Sequence, residues 1–185
     1  MRGRSLLLTS VILLWLTGSS AQKSSWEIGV KSIHEITFSD GYAPGAGIPV
    51  VYRIGKHGGL ESGCYYKIRP SHPLMVNNSG ALVKQKLTEH TLIIPLSYRY
   101  DSRFINFSVG AALEIFLSKR YNSVEFATLR NLYSTVPELI STASISKSFT
   151  LPGSLVLEPE IRFSAFVPNG DGGWGLNVSL RKKIF

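Results

Sequence analysis

Apolar and polar residues alternate along this chain with a period of two. Each run lasts about ten residues, a pattern that an extended strand with two unlike faces accommodates and a helix does not. Across 155–165, Leu155, Leu157, Ile161, Phe163 and Ala165 share one face, and Glu158, Glu160, Arg162 and Ser164 share the other. Across 104–117, Ile105, Phe107, Val109, Ala111, Leu113, Ile115 and Leu117 oppose Asn106, Ser108, Gly110, Ala112 and Glu114. Trp174, Leu176, Val178, Leu180 and Ile184 oppose Asn177, Ser179, Arg181 and Lys183, while Leu92, Ile94, Leu96, Tyr98 and Tyr100 oppose Pro95, Ser97 and Arg99. Weaker alternation over 26–38 and 59–68, and β-rich runs at 47–54 and 138–149, bring the expected count to eight strands.

The first residues have a different character. Arg2 and Arg4 precede an apolar run, Leu6 to Leu16, and Ser19-Ser20-Ala21 places small residues at the positions a signal peptidase reads. This layout predicts a cleaved secretory signal peptide over 1–21 and a mature domain over 22–185. The run is too short for a membrane-spanning helix, which needs roughly 18–20 apolar residues, and no later stretch reaches that length. Apolar residues at 44% and charged residues at 17% exclude a disordered tail or a coiled coil. A single cysteine, Cys64, excludes an intramolecular disulfide framework and a cysteine-rich metal site. The net charge of +8 is dispersed and forms no stripe for nucleic acid.

Connections alternate in length. The tight ones are expected at 55–58, 100–103 and 151–154, and the long ones at 39–46, 69–87, 119–137 and 168–173. Strands of this length joined by short turns at one end and long loops at the other predict an all-β, eight-stranded, antiparallel transmembrane β-barrel. A soluble exported barrel that binds a small hydrophobic ligand has the same strand count, with its faces reversed. The polar faces collect charges of both signs together with small residues, which suits a narrow lumen filled by ion pairs. The candidates are Glu61, Arg99, Glu114, Glu158, Glu160, Arg162 and Arg181; Glu27, Lys31, Lys67 and Lys183 share their face. Pro95 and Pro159 interrupt predicted strands, so each predicts a bulge or a missing ladder hydrogen bond.

Several segments together resemble the Bacteroidetes-type outer-membrane β-barrel proteins, the PorT-like proteins among them. They are the leader ending Ala21-Gln22, the strand Gly59-Leu60-Glu61-Ser62-Gly63-Cys64-Tyr65-Tyr66, the strand Leu92-Ile93-Ile94-Pro95-Leu96-Ser97-Tyr98-Arg99-Tyr100, the run Phe107-Ser108-Val109-Gly110-Ala111-Ala112, and the terminal Phe185. The resemblance implies outer-membrane localisation, both termini in the periplasm, and outer-membrane lipid as the surroundings. It also implies that Phe185 is the signal read by the barrel-assembly machinery. The family supplies no shared catalytic residues.

Among His34, His57, His72 and His90 no pair has the spacing of a helical zinc site, and no cofactor or metal is expected. His90, near the rim with serines nearby, is the candidate for a membrane-embedded lipid A-modifying enzyme, but no acidic partner is evident to orient it. The glycine-rich 41–47 fits no phosphate loop and reads as an external loop. Three glycosylation sequons, at Asn77, Asn106 and Asn177, read as chance. The expectation is a non-enzymatic barrel with a structural or envelope-interaction role carried by its external loops. An envelope protein is a possible partner and nucleic acid is not.

Overall fold

The computed structural model describes residues 25–38, 41–72, 74–76, 80–84, 86–121, 137–166 and 172–184. Phe185 and residues 1–21, the expected leader, lie outside them. Eight long strands form the wall: β1 (Ser25–Thr37), β2 (Gly41–Ile54), β3 (Gly58–Ser71), β6 (Leu87–Asp101), β7 (Asn106–Tyr121), β8 (Glu138–Ser146), β10 (Leu155–Phe166) and β11 (Gly172–Lys183). Each pairs antiparallel with the next, and β11 pairs back onto β1 from Glu27↔Lys183 to Thr37↔Gly173, which closes the barrel. A small hairpin, β4 (Leu74–Val76) with β5 (Leu82–Lys84), lies between β3 and β6, and β9 (Phe149–Leu151) extends the wall beside the start of β10. Closure gives each of the eight long strands a paired neighbour on both sides, the condition under which a β-structure can cross a bilayer.

The turns at 55–57 and 102–105 fall at the same end of the barrel as the chain segments around Ser25 and Ile184. A short 3-10 turn, Pro152–Ser154, joins β9 to β10 at this end; Gly153 sits at φ 76°, where a side chain would be strained. One expected loop is corrected. The glycine-rich 41–47 belongs to strand β2, and only residues 38–40 separate β1 from β2. Gly45 and Gly47 are needed for close approach: a Cβ on Gly47 would lie 2.3 Å from the Cys64 carbonyl oxygen and 2.4 Å from Cδ1 of Tyr65, so the Tyr65 ring occupies the space a side chain would take.

The prolines sit where the ladder is interrupted. Opposite Pro95, pairing of β3 with β6 stops at Ser62↔Leu96 and resumes at Tyr65↔Ile93, and the Ser62 hydroxyl donates to the Pro95 carbonyl at 2.8 Å. Pro159 lies between the last pair with β8, Glu160↔Ser146, and the first with β9, Leu157↔Phe149; Lys147 N donates to its carbonyl at 3.2 Å. Pro49 faces a similar gap between Ile28↔Val50 and Lys31↔Gly47. In each case the nitrogen that lacks a hydrogen meets a gap that asks for none. The register shift is elsewhere, at His90/Thr91 opposite 116–118.

Burial inverts the soluble-protein pattern. Leu96 and Val109, each 63% exposed, represent an outer wall that also carries Val30, Ile48, Leu60, Ile94, Leu113, Ile161, Leu176 and Leu180. Aromatic residues collect towards both ends of it: Trp26, Tyr98, Tyr100, Phe104 and Phe107 at the short-turn end, and Phe38, Tyr42, Tyr66 and Trp174 at the other. Inside lie Glu27, Lys31, Lys67, Arg99, Glu158 and Arg181. An apolar wall between two aromatic belts, around a charged interior, is the arrangement of a transmembrane barrel and excludes an interior built for a hydrophobic ligand.

Candidate functional site

The lumen is where the chain concentrates its chemistry, and strand alternation puts it there. Every second residue of each strand points inward, so a charged residue on that parity is buried wherever its strand lies within the barrel.

Glu158 of β10 is the centre of the lower tier. It is 1% exposed and lies between two guanidinium groups. Arg181 Nη2 reaches its Oε2 at 2.8 Å, Arg99 Nη1 reaches its Oε1 at 2.6 Å, and Arg99 Nη2 makes a second, shorter contact with Oε2. Arg181 Nε continues to Glu27 at 3.1 Å, and Glu27 accepts from Arg53 Nε at 2.9 Å. Arg99 continues to Asp101 at 2.7 Å and to Glu61 at 3.5 Å, while Arg53 also pairs with Asp101. Lys31 donates to Glu160 at 2.6 Å and stands 3.4 Å from Glu61; Asn177 donates to the other oxygen of Glu160 at 3.1 Å. Strands β1, β2, β3, β6, β10 and β11 are thus tied together across the lumen by one continuous network. Arg99 and Arg181 suit its centre because each guanidinium fork serves two or more carboxylates at fixed angles.

Above this tier Ile33, Tyr65, Ile93, Ala112 and Ile140 form an apolar layer. The ammonium of Lys31 stands 5.7 Å from the centre of the Tyr65 ring, within reach of its negative face. The upper tier is smaller: Lys67 Nζ lies 3.0 Å from Glu35 and 3.4 Å from Glu114, and Arg69 pairs with Glu89 at 2.9 Å.

The expected lumen residues all face inward, yet their roles differ. Glu61, Arg99, Glu158, Glu160 and Arg181 meet in the lower tier, and Glu114 stands apart in the upper one. Arg162 departs from the ion-pair expectation. It is buried beside Glu35, Lys67 and Tyr65 on a small internal void, and no carboxylate lies within ion-pair distance of it among the described residues. Its position on β10, one inward step above Glu160, places it level with the apolar layer instead of with a carboxylate. The Tyr65 hydroxyl and one oxygen of Glu114 likewise have no hydrogen-bond partner among the described residues. Lys183 keeps the inward register opposite Glu27 but reaches solvent at the barrel mouth.

Sequence reasoning missed Glu35, Arg53, Arg69, Glu89 and Asp101. Glu35 was within reach by carrying the alternation of β1 two steps past Ile33. The others lie at strand ends, where the parity of a strand is read only once its length is known. Asn106 and Asn177 are buried in the lumen, so neither sequon is accessible there; Asn77 lies outside the described residues. Cys64 is exposed on the outer wall.

His34 and His90 face outward on their strands. The His90 ring makes a short hydrogen bond with the Tyr66 hydroxyl, and among the described residues no serine makes a hydrogen bond to it, although Ser118 is its register partner on β7. His57 Nδ1 lies 2.9 Å from the Asp101 carbonyl oxygen in the turn region. His34 lies between two partners, the Ser32 hydroxyl 2.9 Å from Nε2 and the Tyr42 hydroxyl 2.7 Å from Nδ1.

No protein-family model matches the chain, and comparison with curated proteins gives no match. Its fold does have solved counterparts. Neisserial surface protein A superposes with a TM-score of 0.52 at 12% identity, covering 88% of this chain and 100% of that one. Ail, the attachment invasion locus protein of Yersinia pestis, gives 0.44 at 13%, covering 85% and 97%. The N-terminal β-barrel domain of Pseudomonas aeruginosa OprF gives 0.43 at 11%, covering 86% and 99%. At such identities the likeness is one of fold: the chain is a small eight-stranded barrel of the outer-membrane kind.

Proposed function

We propose that this chain is an outer-membrane β-barrel protein with a structural or envelope-interaction role carried by its external loops, and that its lumen carries out no catalysis. The observation that carries this reading is the inverted burial: an apolar wall suited to lipid surrounds an interior closed by two tiers of ion pairs with an apolar layer between them. Such an interior passes nothing much larger than water or small ions. In this reading residues 1–21 direct export and are removed, Phe185 is read by the barrel-assembly machinery, and the termini stay periplasmic. The barrel sits in outer-membrane lipid, with an envelope protein as the partner for its loops. The likeness to the PorT-like proteins belongs to the same reading.

The test is separation of inner from outer membranes followed by gel electrophoresis of the extracted protein with and without boiling. Recovery in the outer-membrane fraction, with a band that migrates differently until heated, is the expected result. Recovery as a soluble periplasmic protein with one mobility would refute the reading.

A further inference from the structure

The outer wall holds an arrangement that the proposed role does not need. Ser32 and His34 are two residues apart on β1, so alternation turns both side chains to the lipid side. The Ser32 hydroxyl stands 2.9 Å from His34 Nε2, and the Tyr42 hydroxyl of the adjoining β2 stands 2.7 Å from Nδ1, its ring nearly parallel to the imidazole with centroids 6.1 Å apart. This is the geometry of an activated nucleophile: a hydroxyl on one ring nitrogen of a histidine and an orienting group on the other. When Nδ1 carries the proton and donates it to the Tyr42 oxygen, Nε2 is free to accept from Ser32. The second outward histidine provides an internal contrast. His90 meets the Tyr66 hydroxyl at Nδ1 in the same way, but among the described residues no serine hydroxyl lies within hydrogen-bond distance of its far nitrogen, although Ser118 is its register partner on β7.

The surroundings define a substrate class. His34 lies three residues before the end of β1, about 10 Å along the strand, within the aromatic belt of Phe38, Tyr42 and Trp174. Side chains of such a belt sit at the level of lipid headgroups, where the ester carbonyls of membrane lipids also lie. In register beside Ser32 and His34 are Val178 and Leu176 of β11, both exposed, which offer an apolar surface to an acyl chain.

We propose that Ser32, His34 and Tyr42 form a hydrolytic site on the outer wall of the barrel that cleaves acyl esters of membrane lipids. Ser32 Oγ attacks the ester carbonyl as its proton passes to His34 Nε2. The C–O bond to the alcohol breaks, and His34 returns the proton to the departing oxygen. Water, activated by the same nitrogen, then attacks the acyl-serine. A fatty acid is released and the Ser32 hydroxyl is restored. Tyr42 is a positioning residue, which holds the ring and its tautomer.

The test uses the full chain folded in detergent micelles, with heat-shifted mobility as the check that each variant is a barrel. A fluorophosphonate with a long alkyl chain is added, labelled peptides are identified by mass spectrometry, and release from a long-chain 4-nitrophenyl ester is followed in parallel. A glycerophospholipid in vesicles follows as substrate. We expect labelling at Ser32, its loss in Ser32→Ala, and a fall of at least about 100-fold in ester release for His34→Ala, the scale of a lost general base. Tyr42→Phe should slow labelling and lower kcat for the ester more than it changes KM, with the heat shift intact. His90→Asn should match the unaltered chain. A folded barrel that leaves Ser32 unlabelled, or a Ser32→Ala variant that hydrolyses the ester as well as the parent, would overturn the proposal. Neither result bears on the role proposed for the loops.

Discussion

Neutralising Glu158 is the sharpest test of the lumen. Its carboxylate faces Arg99 Nη1 at 2.6 Å and Arg181 Nη2 at 2.8 Å. At an effective dielectric of about 20, each contact represents roughly 6 kcal/mol of gross attraction. Most of that is offset by the cost of taking the charges out of water, and breaking a buried pair from one side leaves a net loss of about 3–5 kcal/mol. Glu158→Gln keeps the shape and one acceptor oxygen, so the loss comes from charge and not from a cavity. The two guanidiniums do not become orphans, since Arg99 retains Asp101 at 2.7 Å and Arg181 retains Glu27 at 3.1 Å, which favours the lower end of the range. The assay is reversible urea unfolding in lipid vesicles, followed by tryptophan fluorescence and by the heat-shifted band. With a slope of about 2 kcal/mol per molar urea, a loss near 3 kcal/mol lowers the midpoint by roughly 1.5 M. Adding Arg99→Gln should recover part of the loss, because the mutual repulsion of Arg99 and Arg181 goes with it. A Glu158→Gln barrel within about 0.5 kcal/mol of the parent, the range of an ordinary surface substitution, would refute the reasoning.

Other perturbations separate the two faces and the close contacts. Leu96→Arg, on the outer wall midway between the belts, should cost about 2–4 kcal/mol in vesicles, whereas Lys182→Glu at the rim should cost under about 1 kcal/mol; equal losses would place the membrane elsewhere. Gly47→Val drives a side chain into Cys64 and Tyr65 and should reduce the heat-shifted fraction after refolding, with a stability loss of about 1–3 kcal/mol or more. Tyr65→Ala in the same chain should relieve part of that defect, and failure to do so would show that the backbone contact decides it. Arg162→Gln should cost less than Glu158→Gln in the same urea assay, since no ion pair is lost; a larger cost would mean that Arg162 is held by charges the geometry does not reveal.

The strands and the sorting of their faces were legible because alternation is a local property. Glu158, Glu160 and Arg162 declare their common side within five residues, whatever the rest of the chain does. The fold class followed from that alternation and from the connection lengths. What local reading could not supply was pairing across the lumen. Arg99 and Glu158 are far apart in sequence and meet only because β6 and β10 face each other across a closed wall. Arg162 has the same residue type and parity as Arg181 yet lies beside Glu35 without an ion pair among the described residues, a difference set by its height along the strand. The 41–47 segment misled because glycine and proline usually mark turns; here Gly47 admits a tyrosine ring, and Pro44 pairs with His34 on β1 beyond the last β2–β3 pair, Gly45↔Lys67. Ser32-Ile33-His34 was readable in principle as two polar residues on one side of a strand, but its meaning depends on Tyr42 arriving from the next strand.

The outer wall of this barrel packs against nothing else in its own chain among the described residues. A soluble domain builds its interior from side chains that must fit one another, so each position limits its neighbours. Here the apolar positions of every strand meet lipid tails, which flow around whatever shape is presented, and Leu96 or Val109 needs only to be apolar. Half of each strand is thereby released from any demand for a specific residue, while the inward half is held to charge balance and volume. A chain built this way can change most of its letters and keep its architecture, which is why a likeness plain in three dimensions survives at 12% identity.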